Sequence, residues 1–362
     1  MLVRFVRFSL AAAMCGVLIG GAQVSAQSAS TSTSTKKPAP KPATTAASQT
    51  KPKPTQTRSS LARARAAAAE RARRAAAARA RERQRIEQEA MTPRYRRDLL
   101  GNQIPEVRAA AAIIFDPQTN AVLWEQNAHD RRSIASLTKI MTAVTFVADE
   151  PDLDQVVAVT SADTRYASVT HLKTGDRISY RDLLHLGLIA SDNAATRVLA
   201  RTSEGGTVAF VSRMNDMAVN LGLTSTSYAD PSGLDARNVS SAYDTSHLIT
   251  YAGADPLLGP IMRTQEYQAR TRTRVIPIHS TNKLLGPGLL GTGMDVLGGK
   301  TGFISKAGYC LATLLRIPQG PQVAVVVLGA ANSTTRFWEA KHLFNWVVGR
   351  WTGLAGGDAE IQ

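Results

Sequence analysis

Residues 104–352 are expected to form an α+β domain: one antiparallel sheet built from both ends of the segment, covered by helices, with a helical insertion between them. Three observations predict it. Two apolar runs near its start, "AAAIIFD" and "AVLWEQN", flank the turn-forming "PQTN" and read as a hairpin. Two more near its end, "GYCLATLLRI" and "QVAVVVLGA", flank "PQGP" and read as core strands. The stretches between these pairs repeat apolar residues at helical spacing.

In chain order, residues 1–26 read as a secretory leader. Arg4 and Arg7 precede an apolar stretch from Phe8 to about Gly20, which ends in the small-residue signal Val24-Ser25-Ala26. Residues 27–60 are rich in Ser, Thr, Pro and Lys without apolar periodicity, the composition of a disordered linker. Residues 61–103 form a basic segment whose first thirty residues, "LARARAAAAERARRAAAARARERQRIEQEA", are strong helix formers with almost nothing large to bury. The charge is confined to this part of the chain. Residues 1–103 carry 20 Lys+Arg against 5 Asp+Glu, and the remainder balances at 23 against 23. The net charge of +15 therefore describes a tail and not the domain. The arginines of 61–90 suit an anionic envelope surface or simply a solvated spacer, and export makes nucleic acid an unsuitable partner. Export across the cytoplasmic membrane, with the periplasm as the expected destination, also leaves Cys310 as the one cysteine beyond the leader, so no disulfide framework is expected.

Within the domain, "SLTKIMTAVTFVADE" places Leu137, Ile140, Met141, Val144 and Val147 on a largely buried helix. "SYRDLLHLGLIAS" is a second helix, and "GTVAFVSRMNDMAVNLG" a third, closed by Gly222. "TTRFWEAKHLFNWVV" closes the domain as an amphipathic helix, and residues 353–362 are a short tail.

Lys139 lies three residues after Ser136 inside an apolar run, one helical turn away and on the same face. A lysine shielded from water loses part of its preference for the proton and can activate a hydroxyl, a weak nucleophile on its own. The same spacing recurs at Ser34–Lys37, Ser48–Lys51 and Ser280–Lys283, so spacing alone carries little; the start of a buried helix is what distinguishes Ser136. Ser191-Asp192-Asn193 supplies a second hydroxyl and an amide after a helix. Lys300-Thr301-Gly302 supplies a cation and a hydroxyl able to hold a carboxylate, with a glycine that permits close backbone approach. A second K-T-G, Lys173-Thr174-Gly175, precedes the serine triplet in a polar stretch and reads as a turn.

S-x-x-K, S-D-N and K-T-G in this order resemble the active-site-serine penicillin-binding enzymes and β-lactamases. The flanking text, "RRSIASLTKIMTA", "LLHLGLIASDNAATRVLA", "YADPSGLDARNVSSAYD" and "GGKTGFISKAGYCLAT", is similar to the low-molecular-mass D-alanyl-D-alanine peptidases of family S11, with endings closer to the endopeptidase type. The resemblance implies a β-lactamase/transpeptidase-like fold and a serine D,D-peptidase acting on peptidoglycan stem peptides and cross-links, acylated by β-lactam antibiotics, with no metal or cofactor. It implies that Ser136 attacks, Lys139 accepts its proton and Ser191 relays a proton to the leaving amine. Asn193 would bind the substrate amide, and Lys300 and Thr301 a carboxylate. Gly302 would admit the substrate backbone, and the Ser136 and Phe303 amides would form an oxyanion hole. Asn282 in "HSTNKLL" matches a motif near such sites or ties down a loop.

Two alternatives remain at this point. A class A-like β-lactamase needs a glutamate in an E-x-x-N context, but only Glu204 and Glu266 lie between Asn193 and Lys300, in "EGGT" and "EYQA". A non-catalytic wall-binding relative would have no physical need for two lysines around a serine. The six histidines show no metal-ligand spacing, and Cys310 reads as a small buried residue.

Overall fold

The computed structural model describes residues 58–286 and 294–356. The expected leader, the linker up to residue 57 and the tail from 357 onward lie outside the described residues. The chain divides into two units, residues 1–63 and 64–362, and the site described below belongs wholly to the second.

The Ala/Arg run is helical as α1 (Arg58–Met91). Its residues are exposed almost throughout, and only Ala90 is fully buried. The helix ends within a residue of the expected run of helix formers: Pro93 cannot extend a helix, and the rest of the basic segment turns into a hairpin of β1 (Tyr95–Arg97) and β2 (Gln103–Pro105). Asp98 ties that turn by accepting from the Leu100 and Asn102 amides.

The predicted first hairpin is β3 (Ala111–Asp116) and β4 (Ala121–Gln126). After the short β5 (Arg132–Ser133) and a 3-10 turn over Ala135–Leu137 comes α2 (Thr138–Ala148). The insertion holds β6 (Val156–Ala158), α3 (Ser161–Thr164), β7 (Arg177–Ser179), α4 (Tyr180–Ile189), α5 (Asn193–Thr202) and α6 (Gly206–Asn220). It continues through β8 (Val239–Ser240), α7 (Ala242–Ala254), α8 (Leu258–Arg263), β9 (Glu266–Arg270) and β10 (Val275–His279). The chain then returns to the sheet as β11 (Asp295–Ile304), β12 (Gly308–Arg316) and β13 (Gln322–Ala330), and closes with α9 (Thr335–Gly356).

The main sheet is antiparallel in the order β11-β12-β13-β3-β4, so strands from both ends of the domain meet at its centre, as expected. The pairing of Val325 with Ile114 and of Val326 with Ile113 sets that central register. Alternate residues of β3 and β13 enter two different cores. Ile113, Phe115 and Val326 pack with α2 and α7, while Ile114, Val323 and Val325 pack with Phe337 and Leu343 of α9. Burial on both faces is why "QVAVVVLGA" reads as an unbroken apolar run instead of an alternating one. β11 is one of the two edge strands, and it carries K-T-G along the border of the helical insertion.

Candidate active site

The nucleophile turn, loops of the helical insertion, the β11 edge and the first turn of α9 converge on a cavity of about 220 Å³ lined by Ser136, Ser191, Asn193, Thr301, Gly302 and Arg336, among others. Ser136 sits in the 3-10 turn that leads into α2. The turn is held in an uncommon backbone state: Ala135 has φ +49°, a left-handed value disfavoured for a residue with a Cβ. Thr138 Oγ1 fixes it by donating to the Ala135 carbonyl at 2.7 Å. Two glycines close on the same turn. A Cβ on Gly233 would stand 2.1 Å from the Ala135 oxygen, and one on Gly302 would stand 2.8 Å from the Ile134 oxygen and 3.1 Å from the Ser136 nitrogen. Gly302 therefore gives room first to the nucleophile turn, where the sequence pointed to a substrate backbone.

Lys139 is fully buried. Its Nζ donates to Ser136 Oγ at 3.0 Å, to Asn193 Oδ1 at 2.6 Å and to the Ser232 carbonyl. Burial pulls its pKa down to about 7, against the opposing pull of Asp230 and Asp192, whose charges favour the ammonium. A lysine so placed exchanges its proton near neutral pH while still holding a hydrogen bond to the serine hydroxyl. The Ser232 carbonyl is presented by a turn organised around Asp230, whose carboxylate accepts from Ser232 Oγ and from the amides of Ser232, Gly233 and Asp235. Asn238 ties this turn to the nucleophile helix, donating to the Asp230 carbonyl at 2.9 Å and to Thr138 Oγ1 at 3.1 Å.

Ser191 follows α4 with φ +59°, and Asp192 caps α5 by accepting from the Ala195 amide at 2.9 Å. The amide of Asn193 is engaged at both ends, its Oδ1 by Lys139 and its Nδ2 by the Ala167 carbonyl at 2.6 Å. Lys300, 1 % exposed, donates to Ser191 Oγ at 2.8 Å and to the Thr301 carbonyl at 2.9 Å. Burial lowers its pKa well below the usual lysine range, and the positive charges of Lys139 and Arg336 add to the effect. The two serines are thus matched one to each lysine. Thr301 Oγ1 donates to Thr281 Oγ1 at 2.7 Å, and the Phe303 ring, 48 % exposed, stacks on Tyr309 at 4.1 Å. Asn282 ties down its loop: its Oδ1 accepts from the Leu284 amide. Lys173-Thr174-Gly175 lies in a turn with Gly175 at φ +92°, as expected of the second copy.

Arg336 escaped the sequence reading. It enters the cavity from the first turn of α9, 8 % exposed, with Nη1 donating to the Gly302 and Cys310 carbonyls at 3.0 and 3.2 Å. Burial lowers its pKa to about 10, so it stays charged at neutral pH, and no carboxylate pairs with it among the described residues. Lys139, Lys300 and Arg336 are three buried basic side chains, of which Arg336 lines the cavity. Such a cluster is costly without an anion.

Comparison with known proteins agrees with this geometry. The family model described as Peptidase S11, D-alanyl-D-alanine carboxypeptidase, matches residues 100–332. The chain is 33% identical over 247 residues to a D-alanyl-D-alanine endopeptidase of Escherichia coli (strain K12), covering 67% of this chain and 78% of that one. It is 33% identical over 246 residues to the enzyme of the same description from Pseudomonas aeruginosa, with the same coverage of 67% and 78%. The crystal structure of the Streptomyces K15 DD-transpeptidase superposes with a TM-score of 0.62 at 28% identity, covering 67% of this chain and 97% of that one.

Proposed function

The chain belongs to the peptidase S11 family of D-alanyl-D-alanine carboxypeptidases and is a serine D,D-peptidase; we propose that it acts on the cross-links of peptidoglycan as a D,D-endopeptidase, outside the cytoplasmic membrane. The carrying observation is the pairing of two buried lysines with two serines, Lys139 with Ser136 and Lys300 with Ser191, beside a cavity lined by both serines and by Arg336. Ser136 Oγ forms a bond to the carbonyl carbon of the D-Ala–D-amino-acid bond as its proton passes to Lys139 Nζ. The amides of Ser136 and Phe303 hold the resulting oxyanion; one such donor is worth roughly 3–4 kcal/mol of barrier in related acyl transfer. The C–N bond breaks as the leaving amine gains a proton through Ser191, which Lys300 orients. Lys139, having passed its proton to that amine by way of Ser191, then takes a proton from the water that attacks the Ser136 ester and delivers it to Ser136 Oγ as the ester C–O bond breaks. Arg336 and Thr301 hold the carboxylate on the leaving D-centre, and Asn193 steadies Lys139 while facing the substrate amide.

That carboxylate is present both on a terminal D-Ala and on the D-centre of a cross-linked diamino acid, so one site serves both cleavages. The endopeptidase descriptions of the Escherichia and Pseudomonas relatives support the cross-link as substrate. Digestion of purified sacculi tests this. Cross-linked dimers are expected to disappear, and penicillin to label Ser136 and leave slowly. Loss of terminal D-Ala alone would make the enzyme a carboxypeptidase, and the absence of any Ser136 adduct would overturn the mechanism.

The remaining organisation is part of the same proposal: a leader at 1–26, a linker at 27–60, a basic segment at 61–103, the peptidase at 104–352 and a short tail at 353–362. The exposed arginines of α1, among them Arg63, Arg65, Arg71, Arg73 and Arg79, suit anionic head groups or acidic wall polymer. At 1.5 Å per residue, its 34 residues give a reach of about 50 Å. The full chain is expected to bind anionic vesicles or sacculi in a salt-sensitive manner that a chain lacking residues 61–90 loses. Equal binding by both would leave α1 a spacer. No helix among the described residues is long and apolar enough to cross a membrane.

A further inference from the structure

Beside the reacting cavity lies a second cleft, of about 340 Å³, between the last turns of α1 and the junction of β13 with α9. Arg83, Ile86, Glu87, Tyr309, Asn332 and Ser333 line it. Tyr309 joins the two spaces. Its ring stacks on Phe303, which lines the reacting cavity, and the guanidinium carbon of Arg336 lies 5.6 Å from its ring centroid. The cleft thus begins where the carboxylate clamp ends.

Its charges have no internal explanation. Glu82, Arg85 and Glu89 are tied together on α1, but Arg83 and Glu87 form no ion pair with each other or with any other described residue. Glu87 is half-buried, and a carboxylate partly withdrawn from water without a donor is unfavourable. A guanidinium, a carboxylate and aliphatic surface on one wall, facing a side-chain amide and a hydroxyl on the other, are groups suited to hold an extended peptide.

We infer that this cleft receives the leaving stem peptide of a cross-link, with Arg83 pairing with a carboxylate of that stem and Glu87 accepting from its N–H groups. The inference rests on the endopeptidase reading. Cleavage of a terminal D-Ala releases a single amino acid, which needs no space beyond the clamp. Cleavage of a cross-link releases an amine that still carries a whole peptide with its own carboxyl end. With its D-centre carboxylate at Arg336, that peptide must continue past Tyr309, and α1 forms the far wall of the path. On this account the N-terminal helix contributes part of the substrate specificity.

The test compares the full chain with its Arg83→Glu and Ser333→Trp variants on three ligands: a purified cross-linked muropeptide dimer, an uncross-linked pentapeptide and penicillin. Both positions are exposed, so neither change disturbs the core. Each variant is expected to raise KM for the dimer on the order of tenfold and to leave pentapeptide trimming and penicillin acylation at the parental rate. Unchanged dimer kinetics in both variants, or an equal fall on all three ligands, would overturn the inference with the endopeptidase reading intact. A parent that trims the pentapeptide but leaves the dimer whole would overturn both.

Discussion

Replacing Lys139 with Ala is expected to slow acylation of Ser136 by penicillin about 10²–10⁴-fold, the loss that accompanies removal of a positioned general base. The hydroxyl would keep its place, because the turn over Ala135–Leu137 is fixed by Thr138 and by the close approach of Gly233 and Gly302 and not by the ammonium. The variant also leaves Asn193 Oδ1 and the Ser232 carbonyl without their donor, at roughly 1–3 kcal/mol for each buried group. Some of that returns because a costly buried amine is gone. Folding should survive, and circular dichroism with thermal melting would check it. Acylation by the variant at the parental rate would remove Lys139 from the role of base.

The pH dependence follows from the same burial. The free-base form of Lys139 grows as pH rises through about 7, so the parental acylation rate is expected to climb through that value and level off above it. For stability the sign is the same. The unfolded chain carries a lysine near its ordinary 10.5 and binds more protons than the folded one between about 7 and 10.5, so stability rises with pH across that window. Lys300, also lowered, contributes in the same direction. In Lys139→Ala the rise of the denaturation midpoint between pH 7 and 9 should be shallower than in the parent.

The parts of this site that could be read in the sequence are those whose chemistry is carried by adjacent residues. Ser136 and Lys139 are one turn apart, Ser191 to Asn193 are contiguous, and so are Lys300 to Gly302. The double burial of β13 left its mark as an uninterrupted apolar run. What was hidden depends on contacts distant in the chain. Arg336 reads as one polar residue of an amphipathic helix, and only the packing of α9 against β12 and β13 turns it into the cavity. The partner of Lys139 at Ser232 is a backbone carbonyl, which no side-chain pattern can announce. α7 was missed because its buried face is built partly of small or polar residues, Ala242, Ser246 and Ala252, which leave a faint periodicity. The β1–β2 hairpin was obscured by a basic composition continuous with that of α1. Gly302 was recognised as a point of close approach, but what approaches it is the serine's own turn.

Arg336→Leu is expected to erase the preference of the enzyme for substrates that end in a free carboxylate. The parent should cleave a D-Ala–D-Ala acid faster than the corresponding amide by about 10–150-fold, the value of a charge-assisted hydrogen bond of roughly 1.5–3 kcal/mol. Arg336 also supports the Gly302 and Cys310 carbonyls, so its loss must lower both rates to some extent. The ratio of acid to amide cancels that common damage, as in any double-mutant cycle. If Lys300 alone held the anion, Arg336→Leu would slow acid and amide alike and preserve their ratio. The contacts favour Arg336: Lys300 already spends its ammonium on Ser191 and the Thr301 carbonyl, whereas Arg336 lines the cavity with no carboxylate of the described chain to meet. Filling that place with a substrate carboxylate should also raise the pKa of Lys300, which burial and, after it, two neighbouring positive charges now depress. Substrate binding would then shift Lys300 toward the protonated form from which Ser191 can pass a proton to the leaving amine.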